Sequence, residues 1–111
     1  MDDRINICRN SNVIVDRKND VYVVSIIGDF IASTTPLVHE CCKKIKKSGD
    51  VKKVILDFSR ANRVDTSAFA CIISFIKENL GASIDVVVTN LHDPEKDLIH
   101  MLKVEKIIHV I

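Results

Sequence analysis

The sequence predicts an α/β fold: a single domain built on a mixed, mostly parallel β-sheet that carries helices. Three observations lead there. Short β-branched runs alternate with helical stretches along the chain, the pattern of strand–helix–strand units. Two helix starts carry a cap followed by proline, at Thr35-Pro36 and Asp93-Pro94. The 111 residues, 47% of them hydrophobic, suffice for one modest core but not for two.

Each element follows from local chemistry. Residues 13–16 and 21–27 are β-rich runs parted by the short polar link Arg17-Lys18-Asn19-Asp20, which reads as a hairpin. Residues 5–8 before them are either a short edge strand or an arm. Gly28 is expected to end the second strand. Thr35 is the expected N-cap of the first helix, with Pro36 at its first position. Leu37, Cys41 and Ile45, joined by Val38 and Cys42, form one apolar face, and Lys43, Lys44, Lys46 and Lys47 form the solvated remainder. Ser48-Gly49-Asp50 stops that helix. Residues 51–58 are apolar enough for a central strand buried on both faces. A second, nearly continuously apolar helix is expected from Thr66 to about Leu80, capped by Asp65 and ended near Gly81. Residues 84–89 form the next strand. A third helix starts at Asp93-Pro94-Glu95, with Leu98, Ile99, Met101 and Leu102 as its apolar positions, and residues 107–111 close the chain as a strand. The expected order is β-β-α-β-α-β-α-β.

Composition removes several function classes. Sixteen basic and 15 acidic residues give a formal charge of +1 and a pI near 7.7, without the concentrated positive charge of a nucleic-acid binder. One Tyr, four Phe and no Trp make no stacking platform for bases. The stretch Met1-Asp2-Asp3-Arg4-Ile5-Asn6 lacks the pattern of a secretion signal, and no apolar run is long enough to span a bilayer. The expectation is a cytoplasmic domain with no membrane insertion. Cys8, Cys41, Cys42 and Cys71 contain no C-x-x-C pair, so reduced thiols are expected. His39, His92, His100 and His109 show no ligand spacing, so neither a metal nor another cofactor is expected. Gly28, Gly49 and Gly81 lie too far apart for a phosphate-binding loop. His92 beside Asp93 reads as a bystander to a helix cap, and no nucleophile and base pair is visible. An enzyme or small ligand binder using the cleft beside Asp65 is the least supported alternative.

The segment that carries chemistry is Val54-Ile55-Leu56-Asp57-Phe58 followed, after a polar link, by Val64-Asp65-Thr66-Ser67. It sets two hydroxyls on the first turn of a helix, behind an acidic cap and at the end of a strand. Backbone N–H groups and the positive end of the helix dipole suit that position to a phosphate or to an acidic group of a partner. The same three residues also make an ordinary helix cap.

The chain resembles the STAS domain family, which includes the bacterial anti-sigma factor antagonists. The likeness runs from about Val13 to the C-terminus and rests on three pieces. Ser25-Ile26-Ile27-Gly28-Asp29 is similar to the strand that ends in a glycine and an acidic residue. Residues 54–58 with 64–67 resemble the phosphoacceptor segment. Residues 98–108 resemble the closing helix, loop and strand. The resemblance implies a STAS-like fold and a role as a protein-binding module. Its partner would be an anti-sigma factor with serine/threonine kinase activity, bound in the unphosphorylated state and released by phosphorylation. Matching the family's D-S-[ST]-G segment puts the acceptor at Thr66, with Ser67 as the neighbouring alternative, and the docking surface at Asp29, Ser33, Thr34, Asp65, Thr66 and Ser67. The sequence departs from the pattern at Ile31, where a second acidic residue is common, and at Ala68 and Ala70, which replace glycines. A non-switching scaffold or a subunit of a signalling or transport complex therefore stands as the alternative. Exposed sheet edges also leave a homodimer open.

Overall fold

The structure, a computed structural model, describes residues 4–91 and the strand at 109–110. Its elements run β1 (Ile5–Arg9), β2 (Val13–Lys18), β3 (Val21–Phe30), α1 (Thr35–Ser48), β4 (Lys53–Val64), α2 (Thr66–Asn79), β5 (Asp85–Thr89) and β6 (His109–Val110). The helix expected from Asp93 lies outside the described residues. The strands pair in chain order, β1-β2-β3-β4-β5-β6. The first three are antiparallel, and β3 to β6 are parallel. The α/β class and the mixed, mostly parallel sheet are as the sequence predicts. The order differs by one strand at the start, where residues 5–9 pair with β2 as an edge strand.

Sequential order decides which face of the sheet is covered. The two described crossovers, β3–α1–β4 and β4–α2–β5, step the same way across the sheet and have the same hand, so their helices fall on the same side. α1 and α2 accordingly pack against each other. Val13, Val15, Tyr22, Val24, Ile26, Val54, Leu56 and Phe58 are buried beneath them, together with Val38 and Ile45 of α1 and Phe69, Ile72, Ile73 and Ile76 of α2. The alternate residues Ile14, Val23, Ile55 and Asp57 are only half-buried. Among the described residues the central strand is thus more deeply buried on one face than on the other, because the described crossovers put α1 and α2 on the same side.

Two strands outrun their expected ends. β3 passes through Gly28 to Phe30, and Gly28 has φ of +71° in the left-handed region that an unbranched backbone adopts most readily. β4 continues through Ser59-Arg60-Ala61-Asn62-Arg63. Its register against β3 shifts twice, between the pairs Ser25–Asp57 and Ile27–Arg60 and again between Gly28–Ala61 and Phe30–Val64. Each bulge resets the two-residue period, so burial passes from Phe58 to Ala61 with Ser59 and Arg60 both exposed.

α1 is tied to the sheet at its C-terminal end, by Arg17 of β2. Its N-cap is Thr34, not Thr35, and the Thr34 side chain makes no capping bond because its hydroxyl turns back into the preceding loop. At the other end Arg17 Nη1 donates to the Ser48 carbonyl, supplying positive charge where the helix dipole is negative. Arg17 also lies over the Tyr22 ring, whose hydroxyl is 2.6 Å from Ser48 Oγ. Gly49 has a φ of +144°, strained for other residues, and a Cβ there would stand 2.8 Å from the Arg17 guanidinium, which would have to shift.

The cysteines depart from expectation. Cys8 of β1 and Cys41 of α1 form a disulfide, with Cα atoms 5.4 Å apart and a sequence separation of 33. β1 packs on α1, which brings together two thiols that sequence spacing alone does not relate. Cys42 and Cys71 are free.

Candidate functional site

The C-terminal ends of β3 and β4 lie side by side. Phe30 stands opposite Val64, and the Asp65 N–H donates to the Phe30 carbonyl at 2.9 Å. The loop leaving β3 and the start of α2 therefore share one end of the sheet, the carboxyl end, where open α/β sheets hold their sites. Of the residues expected at a docking surface, Asp29, Thr34, Asp65 and Thr66 are half-buried, whereas Ser33 and Ser67 are exposed.

The α2 start is built by its cap. Asp65 is extended, with φ −82° and ψ 137°, and its Oδ1 accepts from the Ser67 N–H at 2.7 Å. Its carbonyl accepts from the Phe69 N–H at 2.9 Å. Thr66 and Ser67 follow as the first two helical residues, at the positive end of the helix dipole, with no acidic side chain in the first turn of α2. Ala68, where the family pattern has glycine, is 1% exposed, so its methyl group packs into the core rather than toward a partner. Asp65→Ala removes the capping bond and is expected to lower stability by about 1 kcal/mol, read from urea denaturation.

The adjoining loop is internally satisfied. Thr34 Oγ1 accepts from the Ile31 N–H at 3.1 Å and lies 2.9 Å from the Asp29 carbonyl and 3.1 Å from the Ile31 carbonyl, to which its single proton can be donated. The Thr35 hydroxyl donates to the Ile31 carbonyl at 2.9 Å. Thr34 therefore shapes the loop that presents Ser33.

Several features escaped sequence reasoning. Phe30, Phe58 and Phe69 form a buried aromatic row beneath the site, with centroids 6.1 Å and 5.8 Å apart along it. The row joins the last residue of β3 to the first turns of α2 and fixes the two halves of the site against each other. Phe30 and Phe69 lie near element ends but Phe58 lies mid-strand, so no local period relates the three. Cys71 Sγ and His39 Nε2 meet at 3.6 Å, a thiol and imidazole pair that no sequence spacing announced. The His39 ring stacks on Phe75 with centroids 4.4 Å apart, and burial, then the charge of Lys43, lowers its pKa. This pair bridges α1 and α2 on an exposed seam and belongs to their packing.

Asp57 is fixed on the open face of the sheet. Burial raises its pKa, but hydrogen bonds from Asn90 and Ser59 and the charge of Arg60 outweigh that effect, and the net shift is downward. The stability it supplies is present above the usual carboxylate pKa and is lost as pH falls through the lower folded value. A groove of about 280 Å³ on this side is lined by Arg4, Asp16, Lys18, Asn19, Val21 and Val23, at the opposite end of β3 from Asp65. Among the described residues no group of three or more His, Cys, Asp or Glu could hold a metal. No described helix is long and apolar enough to cross a membrane.

Known proteins match this architecture. The family model for the STAS domain matches residues 12–111. No curated protein matches the sequence. Among solved structures, the chain is similar to the anti-sigma factor antagonist SpoIIAA in its unphosphorylated form, at 11% identity and a TM-score of 0.72, covering 89% of this chain and 87% of that one. An anti-sigma factor antagonist from Mycobacterium paratuberculosis is similar at 17% identity and a TM-score of 0.74, over 89% and 83% of the two chains. The Bacillus cell fate determinant SpoIIAA in its phosphorylated form is similar at 11% identity and a TM-score of 0.67, over 89% and 90%. At these identities the structural likeness shows the fold.

Proposed function

Because the chain belongs to the STAS domain family, we propose that it is a regulatory binding module, an anti-sigma factor antagonist of the cytoplasm, rather than an enzyme. In this reading it binds an anti-sigma factor with serine/threonine kinase activity while unphosphorylated, and phosphorylation of Thr66, or of Ser67 beside it, ends the binding.

The observation that carries the reading is the position of Thr66 and Ser67. They occupy the first turn of α2, directly behind Asp65 and beside the loop that follows β3. A partner resting on that end of the sheet would cover both hydroxyls together with Asp29, Ser33, Thr34 and Asp65. A phosphate would add about −1.5 to −2 of charge there. The helix N-terminus would tolerate it within this chain, whereas Asp65 and an acidic partner surface would repel it. Switching then acts through electrostatics and occlusion, without refolding. That SpoIIAA, a protein of the same fold, occurs in unphosphorylated and phosphorylated forms supports the reading.

The test is incubation of the purified chain with an anti-sigma kinase and ATP, followed by intact mass and peptide mapping. One added phosphate on Thr66 or Ser67 is expected. A stable complex that gains no phosphate would sink the switch and favour a non-switching scaffold.

A further inference from the structure

β1 is an edge strand with little burial of its own. It sits at the outer edge of the sheet and pairs only with β2, through a ladder interrupted between Asn6 and Cys8. Its Ile5 is 56% exposed, and only Ile7 and Cys8 of the strand pack against the core. Outside that ladder, the Asn6 side chain bonds Asp16 and the Val15 carbonyl, and the Cys8–Cys41 bond ties the strand to α1. The covalent link therefore holds an element that has little burial of its own.

We propose that Cys8–Cys41 is a thiol–disulfide exchange site, a latch that a dithiol reductant of the thioredoxin or dithiothreitol class opens to release β1 from the sheet edge. Access sets the direction of attack. Cys41 is 0% exposed, whereas Cys8 is half-buried on the edge strand. The reductant's thiolate attacks Cys8 Sγ and forms a mixed disulfide, and the Cys8–Cys41 bond breaks with its electron pair going to the Cys41 sulfur. Asn10 Nδ2 lies 3.5 Å from that sulfur and donates to it, so the departing thiolate meets a hydrogen-bond donor before it takes a proton from solvent. The reductant's second thiolate then displaces Cys8, which is protonated in turn. Two electrons have passed, and the reductant leaves as its own disulfide. In reverse, the Cys8 thiolate attacks glutathione disulfide, Cys41 resolves the mixed disulfide, and two glutathione molecules depart.

The neighbouring thiol does not interfere. Cys42 is buried, and burial pushes its pKa up to about 12, so it supplies no thiolate to scramble the pair. Opening the latch uncovers the β2 edge, a row of backbone donors and acceptors able to pair with another strand.

Hydrogen exchange read by mass spectrometry on the full chain, oxidised and after dithiothreitol, tests the latch. Amides of residues 5–9 are expected to exchange about tenfold faster or more after reduction, with β4 and α2 unchanged. Unchanged exchange at residues 5–9 would overturn the proposal. So would acceleration reaching β4 and α2, which would make the bond a staple of the whole fold. Four alkylatable thiols in denaturant, after treatment with glutathione disulfide and without reduction, would overturn the pairing itself. The site of attack is read in a Cys71→Ser background. Adding Cys41→Ser should leave a chain that takes one glutathione on Cys8, whereas adding Cys8→Ser should leave one that takes none on Cys41. Equal uptake by the two would overturn the assignment.

Discussion

Thr66→Glu is expected to weaken binding to an anti-sigma kinase by more than about tenfold, whereas Thr66→Ala is expected to bind and to stay bound in the presence of ATP. Thr66 is half-buried at the first position of α2, and Asp65 immediately before it is already an anion. A second carboxylate there concentrates negative charge where a partner would have to desolvate it. The fold should be indifferent, because an acidic side chain in the first helical turn is favourable or neutral. Calorimetric titration measures the affinity, and circular dichroism melting verifies that each variant is folded. If Glu and Ala variants bind alike, Thr66 is not the switch, and the same pair of substitutions at Ser67 decides between the two hydroxyls.

Phe58→Ala should produce the largest loss of stability, about 3–5 kcal/mol. Phe58 is 1% exposed and stands in the middle of the aromatic row, with Phe30 on one side and Phe69 on the other. Its removal leaves a cavity bounded by a sheet and a helix that are both fixed elsewhere, so collapse around it is limited. The consequence extends to the surface, since Phe30 leads into the 31–34 loop and Phe69 lies just inside α2. Guanidinium denaturation at constant m-value measures the loss. A change below about 1 kcal/mol would show that the row contributes little to holding the two halves of the site together.

The sequence carried much of this architecture. Strand–helix alternation was legible because each crossover unit keeps its own period, and Asp65 was legible as a cap because capping is decided within a few residues. Asp65-Thr66-Ser67 is contiguous, so its place at the start of α2 could be read directly too. What escaped involves contacts or offsets that no local period encodes. The tail of β4 looked like a polar link, since two bulges break its alternation and leave Ser59 and Arg60 exposed in succession. Burial of the central strand on both faces was expected from its composition, but sequential strand order puts α1 and α2 on one side. Cys8 and Cys41 meet only because β1 crosses α1, and Cys71 meets His39 only across the α1–α2 seam. The N-cap of α1 moved from Thr35 to Thr34 because loop carbonyls compete for the hydroxyls. That Thr34 and Asp65 share one end of the sheet depends on β3 and β4 being parallel neighbours, which sequence alternation suggests and the Asp65–Phe30 bond completes.

The affinity of an anti-sigma kinase for this chain, measured before and after stoichiometric phosphorylation of Thr66, decides whether the α2 start is a switch. Binding of the unphosphorylated chain and a loss of at least about tenfold on phosphorylation are expected, with the melting temperature of the free chain little changed. Equal affinity of the two forms would contradict the switch, and would leave Asp65-Thr66-Ser67 as a helix cap on a binding module that does not switch.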